Sequence, residues 1–197
     1  MDIFLIIIAS WVTGIIANIG YWGILALMTI ESSFIPFPSE VVIPPAAYLA
    51  HQGQMNIYLV IIAGIIGSIL GALINYYLAL TLGRKVIYSF INNAKLDKAE
   101  KYFLEYGNSS TLIGRLIFGV RQLISIPAGF SKMKLSSFIF YTTLGSGIWV
   151  VILAILGYSF GSNQEVFEKY YGQISWFFVI LAVIFVSSII IKKKIRK

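Results

Sequence analysis

Gly114-Arg115-Leu116-Ile117-Phe118-Gly119-Val120-Arg121-Gln122-Leu123-Ile124-Ser125-Ile126-Pro127-Ala128-Gly129 places two arginines in an otherwise apolar run and then interrupts that run with proline. A packed soluble core rarely holds such a run, and in a bilayer each arginine near the midplane costs roughly 2.5–3.5 kcal/mol on insertion scales. Such residues need partners. The other charges set in apolar sequence are Glu31 and Glu40, in a second proline-broken stretch, Glu31-Ser-Ser-Phe-Ile-Pro36-Phe-Pro38-Ser-Glu40-Val-Val-Ile-Pro44-Pro45. The two stretches are expected to meet in a membrane and form one polar site.

Composition sets the solvent. The chain has 197 residues, 58% hydrophobic and 12% charged, with mean hydropathy +0.86. That leaves too little polar surface to coat a soluble globule, so the expected class is an all-α integral membrane protein. With no cysteine, disulfides and thiol chemistry are excluded. One histidine, His51, argues against a zinc or haem site, so neither metal nor cofactor is expected. The net charge of +7 resembles a nucleic-acid signal until it is located. Lys192, Lys193, Lys194, Arg196 and Lys197 follow an apolar run directly, where they read as a topology anchor. The apolar run that begins after Asp2 lacks a basic region and a cleavage pattern, and is expected to be mature structure.

Residues 3–22 are about long enough to cross the hydrocarbon, with a tilted interfacial helix as the alternative. Residues 23–50 carry Pro36, Pro38, Pro44 and Pro45, which no continuous helix tolerates. Irregular backbone at membrane depth survives only inside protein or beside a water-filled cavity, so 23–50 read as a re-entrant hairpin. Residues 57–83 read as a transmembrane helix with a small-residue face of Gly64, Gly67, Gly71, Ala72, Asn75 and Ala79, stopped by Arg84 and Lys85. Residues 94–106 pair Asp97 with Lys101 and align Leu96, Ala99, Phe103 and Tyr106, the pattern of an amphipathic surface helix. Residues 111–130 form a second re-entrant hairpin, 138–161 and 174–191 are further spans, and 192–197 is the basic tail.

Lysine and arginine mark the cytoplasmic side. Arg84, Lys85, Lys95, Lys98, Lys101, Lys132, Lys134 and the tail fall together there, whereas loops 51–56 and 162–173 hold only Lys169. Both flanks of 111–130 are then cytoplasmic, so that segment enters and leaves by one face, and 23–50 dips in from the other. The halves also correspond. Gly71, Asn75 and Gly83 are spaced as Gly145, Trp149 and Gly157, and Ile43-Pro-Pro-Ala-Ala-Tyr48 echoes Ile126-Pro-Ala-Gly-Phe130. An inverted repeat of this kind places substrate at the midplane, between discontinuous helices.

Four residues are expected to carry the chemistry: Arg115, Arg121, Glu31 and Glu40. A guanidinium fork suits bidentate phosphate or carboxylate recognition and stays charged, so the arginines can hold a lipid phosphate. A carboxylate there feels two opposed influences, dehydration and a nearby arginine, and is a candidate for proton coupling. With phosphate bound the arginines are engaged; when it leaves they fall back on the glutamates. Pro36, Pro38, Pro44, Pro45, Pro127 and Gly129, with Gly114 and Gly119, would form the hairpin breaks. The structural alternative is a salt-bridge network that only holds the hairpins together. Tyr76, Tyr77, Trp149 and Tyr158 read as packing or interface residues, and His51 as a loop histidine.

The acidic, proline-rich stretch from Glu31 to Ala47 and the run from Arg115 through Arg121 to Pro127-Ala-Gly129 carry a family pattern. With Phe138, Gly145, Trp149 and Gly157-Tyr158, they resemble the DedA family of bacterial membrane proteins, also called SNARE-associated or VTT-domain proteins. The resemblance spans roughly residues 20–161, and its most specific part is the arginine pair before Pro-Ala-Gly. It implies two facing re-entrant hairpins and proton-motive-force-dependent movement of lipid headgroups, in several members the recycling of undecaprenyl phosphate. By position Arg115 and Arg121 match the family's essential arginines and Glu31 its first essential acid. Glu40 stands where some members have an aspartate at a different spacing.

The expected function is therefore a non-enzymatic transporter or flippase for polyprenyl phosphate in the bacterial cytoplasmic membrane, with the C-terminus cytoplasmic. Its partners are polyprenyl phosphate or phospholipid, membrane lipids and protons, with a homo-oligomer compatible and nucleic acid excluded. A passive phospholipid scramblase and a non-catalytic scaffold are the alternatives. An intramembrane phosphatase or protease would need a histidine or metal-ligand set beside its nucleophile, and His51 lies away from the charged quartet.

Overall fold

The computed structural model describes residues 11–12, 14–16, 18–33, 39–90, 93–117 and 120–159, without the side chains of 84–90, 93–95, 98 and 99. Residues 3–10, Pro36, Pro38, Gly119, the expected span 174–191 and the tail 192–197 lie outside that description. From Tyr21 onward every regular element among the described residues is helical: α1 (Tyr21–Ser32), a 3-10 turn (Ser39–Val41), α2 (Ile43–His51), α3 (Ile57–Phe90), α4 (Asn93–Tyr106), α5 (Ser109–Leu116), α6 (Ser125–Phe130) and α7 (Leu135–Ser159).

Proline placement explains where these helices begin. Pro44 and Pro45 fall in the first turn of α2 and Pro127 in the first turn of α6, where a missing N–H leaves no intrahelical bond unmade. They start helices, and the breaks lie just before them. The long helices contain no proline. In α3 the Asn56 carboxamide oxygen accepts from the amides of Tyr58 at 2.9 Å and Leu59 at 3.4 Å, capping the first turn. The expected stop at Arg84 and Lys85 is instead a bend at Gly83, whose φ of 70° suits glycine, and helix resumes beyond it to Phe90.

Among the described residues, Ile57–Gly83 and Leu135–Ser159 are long and apolar enough to cross a membrane. At ~1.5 Å per residue, 27 and 25 residues exceed the ~30 Å hydrocarbon thickness. Their polarity runs inside out. Leu59, Ile62, Ile66, Leu70 and Ile74 of α3 and Leu144, Ile148, Ile152 and Ile155 of α7 face outward, while Ser68, Asn75, Thr142 and Ser146 are buried. Exposed apolar rows, with these polar side chains buried within a largely apolar core, suit lipid as the solvent.

Glycines set how closely the short helices approach. A Cβ at Gly67 would lie 2.6 Å from the Leu25 carbonyl oxygen, and one at Gly71 would meet the Thr29 carbonyl, so α1 lies on α3 with backbones nearly touching. A Cβ at Gly145 would lie 2.7 Å from the Arg115 Cβ, seating α5 on α7. The second short helices cross over: Gly157 of α7 abuts Pro44 of α2, and Gly129 of α6 abuts Tyr76 and Ala79 of α3. Each long helix thus carries the first helix of one broken segment and the second helix of the other.

Two side chains depart from expectation. Tyr106 leaves the apolar stripe of α4 and is exposed beside Tyr102, ring centroids 4.6 Å apart, while Leu96 and Phe103 are buried. His51 is the last residue of α2, its ring edge-on to Tyr158 of α7 at 4.8 Å.

Candidate functional site

Glu31 lies in the last turn of α1, Glu40 in the 3-10 turn, Arg115 in the last turn of α5, and Arg121 in the turn between α5 and α6. All four are buried, with 3%, 2%, 4% and 6% of their surface exposed. Arg121 is the hub. Its Nη2 lies 2.7 Å from Glu31 Oε1, and its Nη1 lies 3.4 Å from Glu40 Oε1. The other oxygen of Glu31 accepts from Ser32 Oγ at 2.8 Å. Arg115 donates from Nη2 to Ser125 Oγ at 3.0 Å, and its Nε–H has no acceptor among the described residues.

Glu31, Arg115 and Arg121 line one void of about 20 Å³ with Ser32, Ser68 and Ser146. That is room for about one water, too little for a headgroup without movement of the walls. The arrangement is charge-balanced and tight. It can hold an internal ion pair as it stands, and an external anion once the short helices separate. Among the described residues no group of three or more His, Asp or Glu side chains has metal-binding geometry.

The structure therefore joins Arg121 to both glutamates and sets Arg115 on the same void with a hydroxyl partner. Pro44, Pro45, Pro127 and Gly129 do not line it; they serve helix starts and helix contacts. Two participants escaped the sequence reading. Trp149, read as a packing or interface aromatic, lines the void with its ring 5.3 Å from the Arg121 guanidinium carbon, and its indole N–H donates to Ser39 Oγ at 3.2 Å. Asn75, read as part of a small-residue face, donates from Nδ2 to the carbonyls of Ser32 at 3.3 Å and Gln122 at 3.0 Å. The available signal was a carboxamide in the middle of an apolar span.

Long apolar helices around a buried cluster of arginines and carboxylates define an all-helical membrane protein with a polar centre. The chain belongs to the VTT-domain family, which residues 37–159 match. It is 37% identical over 191 residues to an alkaline phosphatase-like protein of Lactococcus lactis subsp. lactis, covering 90% of this chain and 88% of that one. It is 31% identical over 192 residues to undecaprenyl phosphate transporter A of Bacillus subtilis, covering 95% and 93%. Identity to undecaprenyl phosphate transporter A of Staphylococcus aureus is 29% over 198 residues, covering 94% and 97%. No solved structure matches.

Proposed function

We propose that the protein carries an anionic lipid headgroup, that of undecaprenyl phosphate or another polyprenyl phosphate, across the bacterial cytoplasmic membrane at the expense of the proton motive force. The observation that carries this reading is the buried Arg121, held by Glu31 and Glu40 beside an Arg115 whose Nε–H has no acceptor among the described residues. The relatives named as undecaprenyl phosphate transporters supply the headgroup.

Charge bookkeeping gives the mechanism. Two guanidinium groups and two carboxylates sum to zero, so an arriving phosphate leaves the cluster net negative in a poorly screened interior. A proton taken up with the headgroup offsets part of that charge, and a carboxylate that takes it loosens its hold on Arg121. The freed fork then meets phosphate oxygens in the bidentate geometry that suits them, and Arg115 adds its Nε–H. When the headgroup departs, Arg121 returns to Glu31 and Glu40 and the proton is released. No bond of the lipid is made or broken, so the protein acts as a carrier and not as an enzyme.

In this reading residues 23–50 and 111–130 are re-entrant hairpins entering from opposite faces and related by an inverted repeat. Residues 57–83, 138–161 and 174–191 cross the membrane, and 94–106 with the tail 192–197 face the cytoplasm. The crossed packing of α1 and α6 on α3, and of α5 and α2 on α7, supports that plan.

The test is carrier lipid exposed at the cell surface. Cells whose sole copy is Arg121→Ala, at normal protein level, should match cells lacking the protein; exposure equal to wild type overturns the proposal. In liposomes, rapid equilibration of labelled phospholipid without a pH gradient would replace coupled transport with passive scrambling. Phosphate release from the lipid would replace it with catalysis.

A further inference from the structure

Asn75 and Trp149 occupy corresponding places one turn after the close-contact glycines Gly71 and Gly145. Residues four apart share a helix face, so each points toward the short helices its glycine admits. Both reach across. Asn75 on α3 bonds to Gln122, in the turn between α5 and α6, and Trp149 on α7 bonds to Ser39, in the turn between α1 and α2. These acceptors also correspond, because Gln122 stands four residues before Ile126-Pro127 and Ser39 four before Ile43-Pro44.

The bonded positions are the chain neighbours of the charged cluster. Asn75 holds the backbone beside Glu31, at Ser32, and beside Arg121, at Gln122, with the two N–H bonds of one carboxamide. Trp149 holds the residue beside Glu40 and covers the Arg121 guanidinium with its ring. Every member of the Glu31–Arg121–Glu40 cluster is thus anchored through its neighbour, by bonds separate from the ion pairs themselves. We infer that Asn75 and Trp149 are positioning residues: paired crossbars that hold the backbone at the acids and at Arg121 in place while a phosphate headgroup replaces the internal partners, with the Arg121 guanidinium moving off the Trp149 ring as the headgroup binds.

This rests on the phosphate reading above, and the experiment separates the two. In full-length protein in detergent, with Trp11, Trp22 and Trp176 changed to Phe so that Trp149 is the sole indole, farnesyl phosphate serves as the probe. Binding is followed by equilibrium dialysis of labelled probe and by Trp149 emission. Emission should change in step with occupancy, since a neighbouring cation leaves the ring; a packing tryptophan would be silent. Ser39→Ala, which removes one hydroxyl, should weaken farnesyl phosphate binding about threefold to fivefold, as expected for one hydrogen bond. Asn75→Leu should weaken it about tenfold or more. Wild-type affinity in both variants, or silent emission at saturating probe, overturns the inference while a loss of binding in Arg121→Ala leaves the phosphate reading standing. Wild-type affinity in Arg121→Ala overturns both.

Discussion

At the scale of the residue, Arg121 is the charge on which the others depend. Its removal strands Glu31 and Glu40 together in a buried site, and breaking a buried pair from one side costs about 3–5 kcal/mol. Arg121→Ala should therefore lower the thermal midpoint in detergent as well as bring surface-exposed carrier lipid to the level of cells lacking the protein. Adding Glu40→Gln removes one stranded charge, so the double variant should regain part of that stability without regaining headgroup binding; thermal melts and dialysis on the same preparations check both halves. Glu40→Gln alone tests the proton. Headgroup and proton arrive together in the proposed cycle, so wild-type binding should strengthen as pH falls, and the Glu40→Gln chain should show a shallower pH dependence with its transport uncoupled from the gradient. The four charged residues were legible in the sequence because charges in apolar segments have few alternatives. Their pairing was not: Arg121 takes both acids while Arg115 takes Ser125, a choice made by side-chain reach across turns distant in sequence.

At the scale of the element, glycines decide which helices touch. A methyl group at Gly71 would collide with the Thr29 carbonyl and Ser32, and one at Gly157 with the backbone of Pro44. Gly71→Ala and Gly157→Ala should each destabilise by about 1–3 kcal/mol, the range for overpacking a tight contact. Gly147 is the internal control. Its added Cβ would meet only Ile65 Cδ1 at 3.6 Å, so Gly147→Ala should be neutral or gain up to about 1 kcal/mol from helix propensity. Unfolding in a graded denaturant ranks the three. The glycine face of 57–83 was readable from its spacing, but its partner was not. Periodicity assigns a face to a helix and says nothing of which neighbour fills it. The same limit explains Tyr106, which obeys the apolar stripe of α4 in sequence and lies exposed in the structure.

At the scale of the whole molecule, the proposed topology can be tested with the chain's lack of cysteine. Gln54→Cys, in the turn before α3, should react with a membrane-impermeant maleimide in intact cells. Lys132→Cys, after α6, should react only once the membrane is opened. The reverse pattern would invert the protein and with it the direction assigned to the two broken segments. Composition and pattern pointed to the solvent and the class: an apolar, proline-interrupted chain with four charges set in apolar segments suits lipid, around a polar centre. The pairing came from folded contacts. Which carboxylate holds which arginine, and that Asn75 and Trp149 anchor the cluster from the long helices, depend on contacts between residues tens of positions apart, which local pattern does not encode.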